Sequence, residues 1–508
     1  MARGTIVSLR GITLGLILVA MLILPTADLE IVAIDPWTEM ARFGWGVLTP
    51  DFGQAHTLLQ AILLTVAFAF LGLVAGNLAG FLLSLVYGIT LVRVTCAFLR
   101  AVHELFWALI FLQFFGLSPL TGLLAIAIPY AAIFAKVYAE IAEETPSPAV
   151  RVINPATSWL ARYLFGRLPD LLPKFQIYSL YRLECGLRSS AILGFVGLPT
   201  LGFYLETAFS EGHYSEVSAL LIVFYVLIAT IRFWVRLTTL PILAIVSLFA
   251  LPWGVVDIEF SNAVRFFTQD IVPTPLRQTE GSFASILTWA DTILVAEIIP
   301  GIIATLQVTM LALVLTGALA MVQYPWISPQ FLGPVGRTIG HVMLVVIRST
   351  PEYLLAYLLL QFWGPSMLPA VIALALHNGA IIGHLVGRQT ETLRLRIDVP
   401  RRSLDRYGYE ITPRIYPQLL AFLFYRWEVI LRETAVFGML GVATLGFYID
   451  SAFADLRIDK AMILIFATAL LNICIDQLST ALRALARGSS NLTVSRPGLQ
   501  AVPQSGGV

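Results

Sequence analysis

The chain has 508 residues, 58% of them hydrophobic and 12% charged, with a mean hydropathy of +0.83 and a formal net charge of +1. Such a composition cannot present a mostly polar surface, so it excludes a soluble globular protein and describes an integral membrane protein. A near-neutral balance, with pI ≈ 7.7, offers no basic face to a nucleic acid.

A bilayer core about 30 Å thick is crossed by about 20 apolar residues. In chain order such stretches are expected at roughly 7–25, 57–87, 98–116, 119–140, 185–208 and 217–238. They continue at roughly 241–257, 298–323, 341–363, 367–387, 429–450 and 461–482, so that six plus six is the simplest count. Arg3 and Arg10 ahead of the first stretch would also suit a cleaved signal peptide ending near Thr26 and Ala27. Against that, Asp28, Leu29 and Glu30 after the first stretch are echoed by Asp257, Ile258 and Glu259 after the seventh.

Basic residues set the orientation. With the N-terminus inside, cytoplasmic segments receive Arg93, Arg100, Arg151, Arg162, Arg167, Lys174, Arg182, Arg232 and Arg236 in the first half. In the second they receive Arg337, Arg388, Arg394, Arg396, Arg401, Arg402, Arg406, Arg414, Arg426, Arg483, Arg487 and Arg496. The other side is left with Asp28, Glu30, Asp35, Glu39 and Asp51, so both termini are expected in the cytoplasm. The tail 488–508 is rich in Gly, Ser and Pro and reads as disordered.

The longest cytoplasmic loops lie at about 141–184 and about 388–428. In the first, Ala156, Thr157 and Ser158 can open a short helix with Trp159, Leu160, Tyr163 and Leu164 on one face, which Pro169 and Pro173 are expected to stop. In the second, Leu404, Tyr407 and Ile411 repeat the pattern, with Pro413 and Pro417 behind them. An amphipathic stripe in a polar loop must lie on the bundle, on the membrane surface or on a partner.

The two halves repeat one another at an interval of 244 residues. Tyr181, Arg182, Leu183 and Glu184 return as Tyr425, Arg426, Trp427 and Glu428, and the run Thr200 to Tyr204 returns intact as Thr444 to Tyr448. Leu187 and Arg188 match Leu431 and Arg432, while Ala191, Gly194 and Gly197 match Ala435, Gly438 and Gly441. The chain therefore divides into a first repeat, 1–240, and a second, 241–487, both running the same way through the membrane. Function is expected where they meet.

Polar groups at membrane depth are candidates for that function, because burying them is costly unless a neighbour satisfies them. Glu104 and Glu352 open the third spans, and His377 and Asn378 lie in the tenth, where the first half has Pro129 and Tyr130. Arg188 and Arg432 either snorkel to the interface or meet an anionic substrate. The glycines of the fifth spans, Gly194, Gly197 and Gly202 with Gly438, Gly441 and Gly446, either let helices pack closely or slide past each other during gating. Cys96, Cys185 and Cys474 are too scattered for a disulfide framework or a zinc site and read as inert buried thiols. The only lysines, Lys136, Lys174 and Lys460, do not follow glycine, so the chain has no phosphate-binding loop and any ATP must be hydrolysed elsewhere.

The stretch Tyr178 to Gly202 (YSLYRLECGLRSSAILGFVGLPTLG) resembles the fifth span of phosphonate-type ABC transporter permeases, in which an Arg-Ser-Ala turn leads into a Gly-rich helix. Residues 100–125, Arg348 to Gly364 and Leu374 to Gly379 also resemble that family. The resemblance implies an all-α membrane protein of the type I ABC importer fold, with about 12 transmembrane helices and two permease domains fused in one chain. It implies a transport subunit of the bacterial inner membrane, not an enzyme, binding no cofactor itself. Two copies of an ATPase subunit would carry the ATP, and a periplasmic or lipid-anchored binding protein would deliver phosphonate or a related phosphorus oxyanion. Arg188 and Ser189, with Arg432 and Glu433 at the matching positions, would belong to the gating turn. The family's ATPase-docking loop carries Glu-Ala-Ala and then Gly; here Val150 and Ala156 stand at those places, and the second loop is shorter, with Arg394 and Pro400 nearby. The two ATPase copies would then be held differently.

Two other readings compete. A secondary transporter of the major facilitator type would also show parallel six-span repeats, but its basic motif would follow the second span and carboxylates would sit at mid-depth. An integral-membrane enzyme would need a convergent set of His, Asp or Cys, and His56, His103, His213, His341, His377 and His384 form none by spacing.

Overall fold

The computed structural model describes residues 9–494, apart from 34, 54, 155, 237, 256–259, 278–282 and 397–401. The echo at Asp257, Ile258 and Glu259 lies outside the described residues, as do Arg401, Pro400 and the tail from 495. The last helix continues to Val494, so the tail expected from 488 begins as helix.

In hydrocarbon every backbone N–H and C=O must be satisfied within the protein, and the apolar stretches accordingly fold as helices. The first half holds α1 (Leu9–Ile23), α2 (Pro36–Leu48), α3 (Ala55–Leu85), α4 (Thr90–Ala101), α5 (Glu104–Phe115), α6 (Pro119–Glu144), α7 (Pro148–Val152) and α8 (Trp159–Ala161). It continues with α9 (Leu168–Ile192), α10 (Leu201–Ser210) and α11 (Tyr214–Trp234). The second half holds α12 (Leu240–Ala250), α13 (Phe260–Arg265), α14 (Thr274–Arg277), α15 (Phe283–Ile293), α16 (Ile299–Gln323), α17 (Pro334–Ser349) and α18 (Glu352–Trp363). It closes with α19 (Met367–Gln389), α20 (Ser403–Asp405), α21 (Thr412–Met439), α22 (Leu445–Ala454) and α23 (Ile458–Val494). Among the described residues six helical stretches are long and apolar enough to cross a membrane, and up to nine when each bent pair counts as one span. Ahead of α2, Asp35 accepts from Thr38 N at 3.2 Å and from the Thr38 hydroxyl at 2.6 Å, which holds its carboxyl below the usual range.

The halves exchange their first helices. α1 lies along α16 of the second half, where Gln307 Nε2 donates to Thr26 Oγ1 at 3.0 Å, while α12 lies along α3 of the first. The sequence boundary near 240 is therefore not a boundary in space.

Both third spans, expected as single helices, are bent: α4 meets α5 at 92° and α17 meets α18 at 89°. Pro351 drives the residue before it out of the helical region, and Thr350 is extended at φ −68°, ψ 120°. In the first half His103 takes that place, at φ −66°, ψ 145°, and its ring nitrogen accepts from Leu105 N. A broken helix inside a membrane must find partners for its freed carbonyls. Asn472 Nδ2 donates to Ala101 O at 2.8 Å, Arg432 Nη1 to Arg100 O at 3.1 Å, and His377 Nδ1 to Thr350 O at 2.9 Å.

Pro169 and Pro173 do not stop the loop helix that precedes them. A π-helical turn at Arg162–Arg167 carries α8 into α9, with Leu168 N bonded to Tyr163 O, so that both prolines lie inside α9. The wide turn absorbs a missing N–H that a regular helix could not. Arg406–Ile411 does the same ahead of Pro413 and Pro417 in α21.

The glycines of the fifth spans serve a fold-back within each half. A Cβ on Gly202 would lie 1.8 Å from Ala191 O and one on Gly194 would lie 2.1 Å from Phe203 N. Gly446 and Gly438 repeat this against Ala435 O and Phe447 N. Gly197 and Gly441 turn the chain at φ +94° and +88°. These glycines seat α10 on α9 and α22 on α21; they do not face each other across the molecule.

A threonine on the neighbouring helix fixes each fold-back. Leu201 N donates to Thr65 Oγ1 at 2.8 Å, and Leu445 N to Thr305 Oγ1 at 3.0 Å, all four residues being buried. Thr65→Val should destabilise the protein by about 1–3 kcal/mol by stranding that N–H, and Thr65→Ser should restore most of the loss in thermal unfolding of the solubilised chain.

Candidate functional site

Between the halves lies a partly open cavity of about 100 Å³ built from the bends and the fifth-span helices. Its lining follows the internal repeat. Glu104 and Glu352 enter as the first residues of α5 and α18, where the positive end of each helix favours a carboxylate. From α9 come Tyr181, Arg182, Arg188 and Ser189, and from α21 their counterparts Tyr425, Arg426, Arg432 and Glu433. One helical stripe of each, at spacings of three to four residues, thus faces the cavity.

The four guanidinium groups are held by neutral atoms. Arg188 Nη1 donates to His377 Nε2 at 3.0 Å and Nη2 to Cys185 Sγ at 3.4 Å. Arg432 donates to the main chain of Arg100, Arg426 Nε to Asn378 Oδ1 at 2.7 Å, and Arg182 Nε to Tyr178 OH at 2.7 Å. Arg182 also lies over the Tyr178 ring, 5.1 Å from its centroid. Among the described residues no carboxylate oxygen lies within 4.0 Å of any of the four.

The carboxylates are tied elsewhere. Ser189 Oγ donates to Glu104 Oε1 at 2.6 Å, and Tyr130 OH lies 3.2 Å from Ser189 Oγ. In the second half Asn378 Nδ2 approaches Glu433 Oε2 at 3.4 Å, across the matching crossing of α19 and α21. Each helix-opening Glu also has an imidazole beside it, supplied from non-equivalent positions. His103 Nε2 is 3.8 Å from Glu104 Oε2, and His377 Nε2 is 3.5 Å from Glu352 Oε2. Because Thr350 O can only accept, His377 Nδ1 carries the proton and Nε2 offers its lone pair to Arg188. Sites where guanidinium groups converge without paired carboxylates can take an anion, and a tetrahedral oxyanion matches their fork geometry.

Arg188, Ser189, Arg432, Glu433, Glu104 and Glu352 all line the cavity, with His377 and Asn378 directly behind it. Gly194, Gly197, Gly202, Gly438, Gly441 and Gly446 do not line it. Arg188 and Arg432 do not snorkel to an interface. Arg182 and Arg426, expected in cytoplasmic segments, are cavity residues because α9 and α21 begin 14 residues earlier, at Leu168 and Thr412. Of the thiols, Cys96 is buried, Cys185 touches Arg188 and Cys474 is exposed.

The two long loops expected in the cytoplasm present unequal faces. Ser158 caps its helix by accepting from Ala161 N. Trp159, Leu160 and Leu164 are exposed, while Tyr163 turns inward against Phe81. In the second loop Leu404 is exposed, but Tyr407 stacks on Tyr324 at 5.4 Å and donates to Met321 O, and Ile411 is fully buried. The apolar stripe expected in both loops is thus divided between an exposed face and the core.

No family model matches the chain. It is 23% identical over 419 residues, 77% of each protein, to the phosphate-import permease protein PhnE of Mycolicibacterium smegmatis. To the phosphite transport system permease protein PtxC of Stutzerimonas stutzeri it is 26% identical, over 38% of this chain and 74% of that one. Among solved structures, an amino acid ABC transporter crystallised with histidines is 18% identical, covering 40% of this chain and 98% of that one at a TM-score of 0.32.

Proposed function

We propose that this chain, a homologue of permeases from phosphate- and phosphite-transport systems, is the membrane-spanning permease of an ATP-binding-cassette importer for phosphonate or a related small phosphorus oxyanion. The observation that carries the reading is the cavity between the halves, where four guanidinium groups converge with no carboxylate within 4.0 Å among the described residues. An oxyanion entering it would exchange hydration for fixed donors on both halves. Glu104, Glu352 and Glu433 offset only part of the charge of the four arginines, so the cavity keeps an excess of positive charge that an entering anion would balance.

In this scheme the two fused repeats act as a permease pair in the bacterial inner membrane with both termini in the cytoplasm. A periplasmic or lipid-anchored binding protein delivers the substrate. Two copies of a separate ATPase bind and hydrolyse ATP, engaging Trp159, Leu160 and Leu164 on one side and Leu404 on the other. Their closure is felt through α8 and α20, which run without a break into α9 and α21 and hence into Arg182, Arg188, Arg426 and Arg432.

The test is co-reconstitution in proteoliposomes with candidate ATPase and binding proteins. A phosphonate-loaded binding protein should stimulate ATP hydrolysis and drive uptake. If it does neither while another anion does, the substrate is wrong; if no ATPase copurifies, the mechanism is wrong.

A further inference from the structure

A second cavity lies on the opposite face of α9 from the first. A lateral groove of about 620 Å³ runs along the first half between α3, α6, α9 and the start of α12. Leu73, Phe81, Phe175, Leu180 and Leu183 give it apolar walls. Three of its polar side chains satisfy one another: Asn77 Nδ2 donates to Ser179 Oγ at 2.8 Å, and Tyr138 OH donates to Asn77 Oδ1 at 3.1 Å. At its rim stands Arg236, exposed and without a carboxylate within 4.0 Å among the described residues. The rim is held in place, with Arg236 N donating to Thr239 Oγ1 at 2.9 Å and that hydroxyl to Trp234 O at 2.7 Å.

The second half fills the same place with its own side chains. The matched bonds of Thr65 and Thr305 align Asn77 with Gly317, and the 244-residue repeat aligns Ser179, Leu180 and Leu183 with Leu423, Phe424 and Trp427. Leu423 packs on Gly317, where an added Cβ would lie 3.3 Å from it, and Phe424 and Trp427 are buried. Tyr416, at the position of Leu172, hydrogen-bonds Thr13 of α1 and closes the outside. In the first half α12 offers no such bond, and Leu172 is exposed.

An apolar void beside a bilayer forfeits dispersion contacts that an acyl chain would restore, and a lone guanidinium at its mouth attracts an anionic headgroup. We propose that the groove binds one anionic phospholipid, with an acyl chain against α3 and α9 and its phosphate on Arg236. The site belongs to the first half alone and is independent of the transport reading.

Native mass spectrometry of the chain extracted from vesicles of equal phosphatidylcholine and phosphatidylglycerol tests this. The wild type should retain one phosphatidylglycerol, and Leu180→Phe with Leu183→Trp, copying the second half, should lose it. Arg236→Ala should keep a lipid but lose about fivefold of the headgroup preference. Should the double variant misfold, Leu172→Tyr, at the exposed rim and copying Tyr416, carries the same expectation of loss. A wild type that retains no lipid, or a filled groove that retains as much as the wild type, overturns the proposal. An unchanged preference in Arg236→Ala overturns the headgroup assignment.

Discussion

Arg188→Leu should lower uptake of the oxyanion by about 30-fold to 3,000-fold in proteoliposomes carrying the ATPase and binding protein. Truncating one member of a buried, hydrogen-bonded polar pair costs about 2–5 kcal/mol, at 1.4 kcal/mol per factor of ten. Arg188 is such a member. Its Nη1 is anchored on His377 Nε2 at 3.0 Å, and Glu352 Oε2 stands 3.5 Å from the same nitrogen, so its loss leaves an imidazole lone pair and a carboxylate facing each other. Arg188→Lys keeps the charge but not the planar fork and should retain part of the activity. His377→Leu should resemble Arg188→Leu more than any change at Pro129, the matching position, because only the second half holds an arginine by this device. Uptake by a folded Arg188→Leu protein within threefold of wild type would remove Arg188 from the pathway.

Gly446→Ala should abolish the folded protein, or destabilise it by more than about 4 kcal/mol, whereas Gly441→Ala five residues earlier should cost about 1–2 kcal/mol. The contrast comes from what a methyl group would meet. At Gly446 it would lie 1.9 Å from Ala435 O, main chain that cannot swing away, and α22 would have to lift off α21. At Gly441 nothing lies within 4 Å, and the cost is that of an alanine at φ +88°. The yield of monodisperse protein and its thermal midpoint in detergent check both. Equal behaviour of the two variants would refute the fold-back of α22 on α21.

Hydropathy showed where chain enters hydrocarbon, since apolar length is what the bilayer selects. It was blind to the bends before Glu104 and Glu352, because a change of ψ at one residue leaves composition untouched; only Pro351 announced one of them. The repeat exposed Arg188 and Arg432 because both copies keep them. Arg182 and Arg426 were equally plain in the repeat, yet counting basic residues as cytoplasmic concealed them, since that rule ignores which helical face a charge occupies. His103 escaped notice for another reason: its counterpart is Pro351, so the imidazole beside Glu104 has no partner in the repeat. For the glycines close packing was legible but not its partner, because small residues serve a tight fold-back and a helix pairing alike, and spacing does not tell them apart.

The exchange of α1 and α12 has a consequence for how the molecule can rock. Each block is a composite, α3 to α11 wearing a helix borrowed from the second repeat, and α16 to α23 wearing one borrowed from the first. Neither block can tilt without tugging the connection that leads into the other, as two hands with linked thumbs cannot turn independently. In the proposed transport cycle, motion that opens the cavity on one face would pull on the opposite face through those connections, and a leak through both at once would strain both arms.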